Sequence, residues 1–230
     1  MSNVHKKRIC LRYIIPLLVA TILVGFAVAV PYIATNSKPK LDYTIVIDAG
    51  HGGRDGGSIG VDGSVEKDLN LEYAKSLQKL LTNAGIKVVM TRSGDTGLYD
   101  DTADNKKLSD MRKRREIINN STPDLVISVH MNSFPLDSCK GSKTFYQIGN
   151  DTSFDAAKKI QSCLSYYMGN TSKTVSAGDY YILNCTKYTS VLIECGFVSS
   201  PEEVKLLNSK DYRDKFTYSV YRGIMMYLGI

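Results

Sequence analysis

Apolar residues are arranged in distinct patterns along this chain, and each pattern predicts a different kind of element. Residues 13–33 contain no charged side chain, and a run of about 20 apolar residues is long enough to cross a bilayer. Residues 124–130 contain a short continuous apolar run that is typical of a strand buried on both faces. Residues 66–84 instead place apolar side chains at the spacing of a helix that packs one face on a core.

After residue 40 the predicted strands and helices alternate. This alternation favours a single α/β domain with a mostly parallel or mixed central sheet and helices on both faces. Residues 34–42 are largely polar and contain a proline, so we interpret them as a linker that precedes a domain at residues 43–230. The predicted strands are at 44–48, 86–91, 124–130, 144–148, 180–183 and 191–194, and the predicted helices are at 66–84, 108–119, 154–168 and from 201 to the C-terminus.

The N-terminal residues predict a membrane segment. Basic side chains in a leader at residues 1–12 tend to stay in the cytoplasm, which would place everything after residues 13–33 outside the cell. A cleaved signal peptide is the alternative, with the small residues 27–29 as its cleavage site. Because the apolar run has the length of a membrane span, we expect an uncleaved single-pass anchor in the cell membrane with an extracytoplasmic domain. If the leader is cleaved, the protein is secreted.

The charge distribution argues against a nucleic-acid partner. The formal net charge is +6, but after residue 40 the 23 Lys and Arg residues equal the 23 Asp and Glu residues in number. A nucleic-acid-binding domain is expected to carry a basic excess on the domain itself. The basic cluster at residues 112–115 lies between Asp110 and Glu116 on a predicted helix, which favours a solvated, partly paired face.

The cysteines do not predict a metal ribbon. Four cysteines follow the apolar segment, and none of them forms a C-x-x-C motif. Four exported cysteines permit three disulfide pairings, but a domain of this size needs no disulfide to fold. We therefore expect free thiols at Cys139, Cys163, Cys185 and Cys195.

Two of the three histidines lie where a strand of the predicted sheet ends. His51 is in a glycine-rich loop after the first strand, and His130 is the last residue of the third. The carboxyl ends of strands are where α/β folds bind ligands. Seven glycines between Gly50 and Gly63 allow the backbone to approach another group closely. One such histidine is usually structural, but two at one sheet edge indicate a metal site.

A hydrolytic zinc site requires a third ligand besides the two histidines. Such sites take three protein ligands from histidine and carboxylate side chains and leave one position for water. The sequence offers several carboxylates near the glycine-rich loop, and their spacing does not choose among them. The candidates are Asp48, Asp55, Asp62 and Glu66.

Glu194 is a further candidate because it ends the apolar strand residues 190–193. A carboxylate at the end of a core strand is costly unless it is paired, near a metal or catalytic. The structural alternative is an ion pair with an arginine such as Arg54 or Arg114.

A serine hydrolase is a competing interpretation, because residues 56–60 match the pattern G-x-S-x-G. In that class the nucleophile lies on a sharp turn that joins a strand directly to a helix. Ser58 instead lies inside a glycine-rich loop with no predicted strand before it. The context therefore disfavours a serine nucleophile.

Four segments together resemble one known family, although each alone would be weak. From about residue 44 to residue 228 the chain is similar to the zinc-dependent N-acetylmuramoyl-L-alanine amidases of the amidase 3 type. The segments are Ile-Asp-Ala-Gly-His-Gly-Gly-Arg-Asp at 47–55, Glu-Lys-Asp-Leu-Asn-Leu at 66–71, Ser-Val-His-Met-Asn-Ser at 128–133 and Val-Leu-Ile-Glu-Cys-Gly-Phe at 191–197.

The resemblance implies a ligand set, a catalytic residue and a substrate. It implies that His51, Glu66 and His130 bind Zn²⁺, and that Glu194 is the catalytic carboxylate near the attacking water. The resemblance, and not the spacing, selects Glu66 among the candidate carboxylates. The implied substrate is peptidoglycan, in which the enzyme hydrolyses the amide between N-acetylmuramic acid and L-alanine. A zinc peptidase that cuts within the stem peptide and a catalytically silent scaffold on the same fold are the alternatives.

The domain organisation suggests a biological role by the same resemblance. One catalytic domain behind one anchor, without wall-binding repeats, resembles amidases of spore-forming bacteria that strip peptides from cortex peptidoglycan so that muramic-δ-lactam can form. Only about 60 residues separate His130 from Glu194, which leaves little room for the inhibitory helical insert of some related division amidases. We therefore expect control by expression, by location or by an extracytoplasmic accessory protein.

Overall fold

The computed structural model describes residues 18–22, 41–136 and 139–230. Residues 18–22 are helical, and the rest of the predicted span at 13–33 lies outside the described residues. Within the described ranges no helix is both long and apolar enough to cross a membrane. The membrane segment therefore stays a prediction.

Six strands form one mixed sheet in the order β2-β1-β3-β6-β4-β5. Strands β2, β1, β3 and β6 are parallel neighbours, whereas β4 pairs antiparallel with β6 and parallel with β5. This arrangement confirms the predicted α/β domain with a mixed sheet. The strands are β1 (Thr44–Ala49), β2 (Lys87–Met90), β3 (Leu125–Asn132), β4 (Lys143–Gln147), β5 (Ser176–Gly178) and β6 (Ser190–Phe197).

Helices cover both faces of the sheet, as predicted. The side chains of Asn105, Asn150 and Ser200 cap three of these helices by accepting hydrogen bonds from N–H groups of the first turn. The helices capped by Asn105 and Asn150 begin two to three residues earlier than the apolar pattern predicts, and the helix capped by Ser200 begins at the predicted residue. The helices are α1 (Glu66–Asn83), α2 (Lys106–Ser121), α3 (Asp151–Met168), α4 (Tyr181–Asn184), α5 (Pro201–Leu207) and α6 (Lys210–Leu228).

The central strands are buried on both faces because successive side chains point to opposite sides. In β1, for example, Ile45 and Ile47 join the larger core beneath α1, α3 and α6, whereas Val46 joins a smaller core beneath α2 and α4. The continuous apolar runs of the sequence reflect this burial. The face of the sheet beneath α2 also carries polar side chains. In the register of the strands, Asp48 pairs with Ser128 and His130 pairs with Glu194.

The prediction of a strand at residues 180–183 is wrong. The strand in this region is β5, which is only three residues long, and it is followed by the single-turn helix α4, where the Cys185 N–H donates to the Tyr181 carbonyl at 2.8 Å. Ile182 and Leu183 are both buried. Two consecutive buried positions fit a helical turn, whereas the side chains of a strand alternate between its faces.

The basic cluster at residues 112–115 is solvated only in part. Three of its members are exposed, and Lys113 pairs with Glu116 at 2.8 Å as expected. Arg114, however, is only 2% exposed and reaches Asp48 on β1. The expectation of a solvated face is therefore wrong for Arg114, because this position of α2 faces the sheet.

The four described cysteines are free thiols, in agreement with the expectation from their spacing. Cys163 and Cys195 are buried, and burial raises the pKa of both thiols. They behave as small core side chains.

Candidate metal centre

The candidate site lies where β1, β3 and β6 end at the same edge of the sheet. His51 follows β1, while His130 and Glu194 are paired in the register of β3 and β6. His51 adopts a φ angle of 61°, which non-glycine residues rarely do. Such backbone strain persists only where surrounding contacts impose it, and it clusters at functional sites.

Three side chains converge at this edge. The Nε2 atom of His51 lies 3.2 Å from Oε1 of Glu66, and Nδ1 of His130 lies 3.0 Å from the same oxygen. One ligand atom from each residue lies within 4.8 Å of the other two. The structure thus brings together the three residues that the family resemblance selects, and their donor atoms could hold one metal ion.

Glu66 is the buried member of this set because it begins α1 directly under the glycine-rich loop. Its Oε2 atom accepts a hydrogen bond from the Ser58 N–H at 2.8 Å, and its Oε1 atom accepts one from the Met131 N–H at 3.3 Å. Burial raises the pKa of the Glu66 carboxyl. Hydrogen bonds and positive charge from the two histidines lower it by a larger amount, so the net shift of the pKa is downward. Ser58 acts here through its backbone, which gives no support to a serine nucleophile.

The other candidate carboxylates have different partners. Asp48 pairs with Arg114 at 2.6 Å on the α2 side of the sheet. Asp62 is exposed and stabilises its own loop through a hydrogen bond from the Ser64 N–H. Asp55 lies beside the cluster rather than within it, since its Oδ2 atom is 2.9 Å from Nδ1 of His51.

Asp55 lies beside the imidazole of His51 at ion-pair distance, although the contact at Nδ1 does not have hydrogen-bond geometry. Metal-binding histidines usually donate the second ring N–H to a carboxylate, which fixes the tautomer and the ring position. With Nδ1 facing Asp55, the Nε2 atom of His51 faces Glu66. Burial lowers the pKa of His51, but Glu66 and Asp55 raise it more strongly. Sequence spacing gave no reason to separate this role of Asp55 from that of a ligand.

Glu194 has the properties of an unpaired carboxylate in a cleft. It is 9% exposed, and its buried Oε2 atom has no hydrogen-bond partner among the described residues. Burial raises its pKa to about 7, with His130 opposing the shift and Glu66 adding to it. No described arginine forms an ion pair with Glu194, so the structural alternative of an ion pair with Arg54 or Arg114 is wrong.

Two buried arginines hold the backbone that presents His51. Arg114 donates to the carbonyl oxygens of Ala49 at 2.8 Å and His51 at 2.6 Å. Arg92 donates to those of Ala49 and Gly50, both at 2.9 Å. The sequence pattern did not indicate Arg92, and it suggested Arg114 only as an alternative ion-pair partner of Glu194. A signal was available for Arg92, which directly follows the second strand at the ligand-binding edge.

Two glycines allow the side chains of the site to approach the backbone. A Cβ atom at Gly50 would lie 2.2 Å from Cε1 of His130. A Cβ atom at Gly57, where φ is +68°, would lie 2.5 Å from Oε2 of Glu66 and 2.8 Å from Cδ2 of His51. The close approach expected of this glycine-rich loop is therefore confirmed at both positions.

A cavity of about 180 Å³ opens beside the histidines. Its lining includes His51, His130 and Glu194 as well as Met111 of α2 and Tyr181 of α4. Most of the lining surface is apolar, and ionisable side chains are set within it, which is the composition of a site that orients a substrate over a few polar groups.

Comparison with known proteins gives a consistent result. The profile of the N-acetylmuramoyl-L-alanine amidase family matches residues 45–226. The germination-specific N-acetylmuramoyl-L-alanine amidase of Bacillus subtilis (strain 168) is 37% identical over 196 residues, which cover 83% of this chain and 82% of that protein.

Solved structures show the same similarity. The CwlD amidase from Clostridioides difficile, in complex with the GerS lipoprotein, has a TM-score of 0.79 and 35% identity over 82% of this chain and 99% of that chain. The catalytic domain of CwlV, an N-acetylmuramoyl-L-alanine amidase from Bacillus (Paenibacillus) polymyxa var. colistinus, has a TM-score of 0.73 and 27% identity over 82% of this chain and 99% of that chain.

The contact between Gly50 and His130 predicts a loss of metal binding on substitution. We expect Gly50→Ala to displace the His130 ring and to weaken zinc affinity by at least about tenfold, the range seen when residues that position metal ligands are replaced. Gly94→Ala is the control, since a Cβ atom there meets nothing within 4 Å. Zinc titration with a competing chelator measures both variants, and equal affinities would contradict the steric argument.

The Asp48–Arg114 pair predicts a component of acid sensitivity. Burial raises the pKa of Asp48, but Arg114 and the hydrogen bond from Ser128 outweigh it and lower the pKa to about 2. Because this folded-state pKa lies below the unfolded value, the stabilisation is present above about pH 4 and is lost as pH falls towards 2.

We therefore expect the stability advantage of the wild type over Asp48→Asn to shrink by about 2–3 kcal/mol between pH 5 and pH 2. Urea unfolding of both proteins at several pH values measures this difference. An advantage that stays constant with pH would show that Asp48 has an ordinary pKa.

Proposed function

The chain belongs to the N-acetylmuramoyl-L-alanine amidase family, and on this premise we propose that it is a zinc-dependent enzyme acting on the peptidoglycan of the spore cortex. The reaction is hydrolysis of the amide between N-acetylmuramic acid and L-alanine. The observation that carries the proposal is the convergence of His51, Glu66 and His130 next to the unpaired buried oxygen of Glu194.

The donor set fits zinc better than a harder cation. Two imidazole nitrogens and one carboxylate oxygen form the set that catalytic zinc sites use, and such sites keep a further position open. Calcium and magnesium prefer ligand sets made of oxygen atoms. Glu194 lines the cavity beside the two histidines, is not one of the three clustered residues, and has a buried Oε2 atom without a hydrogen-bond partner among the described residues.

His51, Glu66 and His130 would hold the zinc ion, which would supply Lewis-acid polarisation of the carbonyl group and would lower the pKa of water to about 7. Glu194 would accept a proton from the attacking water as the water oxygen adds to the carbonyl carbon. As the carbon–nitrogen bond breaks, Glu194 would donate that proton to the departing amino group of L-alanine. The products are a lactyl carboxylic acid on the sugar and a free stem peptide. Asp55 would hold the imidazole of His51 in the orientation that this arrangement requires.

The spore cortex and an accessory protein are supported by the relatives. The Bacillus subtilis relative is named as germination-specific, and the Clostridioides difficile relative was solved in complex with a lipoprotein. We propose that this chain likewise acts in the cortex and binds an extracytoplasmic partner. Full activity of the purified protein alone with excess zinc, unchanged by cell extract, would exclude an obligatory partner.

The proposed roles predict different effects of two substitutions. His130→Ala should lose both zinc and activity, because it removes a ligand. Glu194→Gln should retain zinc but lower kcat by about 10²–10⁴-fold, because it removes the proton acceptor while keeping the shape of the side chain. Glu116→Gln, at an exposed position of α2, is the control. Zinc content and the products released from peptidoglycan are measured for each.

Mass analysis of those products also tests the class of bond. Intact glycan strands with free stem peptides that begin at L-alanine support the amidase. Shortened peptides that remain on the glycan would instead identify a peptidase. A His130→Ala variant with one bound zinc per chain would disprove the ligand set.

The apolar run at 13–33 predicts where the protein is found. We propose a single-pass anchor in the cell membrane, so the full-length protein should fractionate with membranes and expose the chain after Lys38 to external protease. Protease treatment of intact cells, followed by detection of the protected fragment, tests this arrangement. A mature N-terminus at Val30 would show a secreted enzyme instead.

A further inference from the structure

A second cavity adjoins the metal-site cavity. It also measures about 180 Å³, and the two share Asp55, Lys107 and Asp110. The remaining lining residues of the second cavity are Arg54, Tyr99 and Lys106. We call these six residues the cationic cavity. It extends from the metal centre past Asp55 to the first turn of α2.

The carboxylates of the cationic cavity have partners elsewhere. Asp110 accepts hydrogen bonds from Nε of Arg114 and from the Leu98 N–H, both at 2.6 Å. Asp55 faces Nδ1 of His51 and accepts a hydrogen bond from the Gly57 backbone. Their negative charges are therefore directed at groups outside this cavity.

The basic side chains of the cationic cavity have fewer ion-pair partners than its carboxylates. Lys106 lies 3.5 Å from Asp101 and 5.5 Å from the centre of the Tyr99 ring. Within residues 41–136 and 139–230, no carboxylate lies at ion-pairing distance from Arg54 or Lys107. The cavity thus offers uncompensated positive charge next to the reaction centre.

We propose that the cationic cavity is the subsite for a carboxylate of the stem peptide, with Lys107 as its main contact and Arg54 as the second. This inference rests on the proposed amidase function. It also assigns the orientation of the substrate in the two cavities. The peptide side of the scissile amide extends over Lys107, and the sugar side occupies the rest of the metal-site cavity.

The charge of the substrate supports this direction. The N-acetylated sugars of the glycan are neutral, and the lactyl carboxyl is consumed in the amide, so the glycan side offers no negative charge to pair with a cation. The peptide side carries carboxylates from its acidic residue and from its C-terminus. Lysine and arginine bind carboxylates through charge-assisted hydrogen bonds. An extended residue spans only about 3.5 Å, so the residue after L-alanine comes close to the cavity that adjoins the metal centre.

The test uses two small substrates that differ in one carboxylate. N-acetylmuramoyl-L-alanyl-D-glutamate keeps the α-carboxylate of its second residue, whereas N-acetylmuramoyl-L-alanyl-D-isoglutamine has an amide there. For the full-length zinc-loaded protein we expect a KM about three- to tenfold lower for the acid, because an exposed charge pair of this kind contributes modestly. The kcat values should be equal, since the contact does not involve the reacting atoms.

Lys107→Met should raise the KM of the acid to that of the amide and leave the amide unchanged. Arg54→Gln should have the same effect to a smaller extent. Lys113→Met is the matched control on α2, because Lys113 pairs with Glu116 and lines neither cavity. The preference for the acid should also weaken as salt is added, which a purely structural role of Lys107 would not produce.

A second pair of substrates, extended by a third residue with a free or amidated C-terminus, separates the two sources of the carboxylate. If the KM values of the first pair differ and Lys107→Met removes the difference, the subsite binds the carboxylate of the second residue. If the KM values differ only in the longer pair, the subsite binds the C-terminal carboxylate. Equal KM values within both pairs, or loss of turnover by Lys107→Met on acid and amide alike, would overturn the proposal. Peptide release from intact peptidoglycan is measured with the same preparations, and its absence would contradict the amidase function itself.

Discussion

The site depends on the clamp that two buried guanidinium groups place on the backbone after β1. Arg92 and Arg114 together donate to the carbonyl oxygens of Ala49, Gly50 and His51. Three successive carbonyl groups that point inward need donors, since an unpaired buried carbonyl costs about 1–3 kcal/mol. The clamp supplies them, and it holds His51 at a positive φ angle that the chain would otherwise avoid.

The clamp requires a negative charge beneath the loop. Asp48 on β1 and Asp110 on α2 both form ion pairs with Arg114. Burial lowers the pKa of Arg114, but the two carboxylates raise it more strongly, so the net shift is upward. Removing one partner of such a buried pair costs about 3–5 kcal/mol, because the other charge is left without compensation. Arg114 therefore joins the stability of the α2 face to the geometry of the metal centre. Through Asp110 it also shapes the cavity that we assign to the stem peptide.

The candidate metal centre depends on close approach. Gly50 lies against the ring of His130, and Gly57 lies against Glu66 and His51, so the three candidate ligand side chains meet only because the loop has no Cβ atoms at these positions. The sheet register places Glu194 beside His130, and both residues line the same cavity. Protein interiors tolerate little displacement, so a Cβ atom at either glycine would force one of these side chains out of position.

The sequence by itself determined the α/β class, most strands and helices, and the candidate residues His51, His130 and Glu194, because these follow from local apolar runs and from positions at strand ends. Spacing could not choose Glu66 over Asp48 or Asp55, since that choice depends on how the first turn of α1 packs under the loop. The tertiary structure also decided that Arg114 is buried while its neighbours are solvated, and that Ile182 and Leu183 lie on a helical turn. These outcomes depend on contacts between residues far apart in the chain, whose energies no local pattern of polar and apolar residues contains.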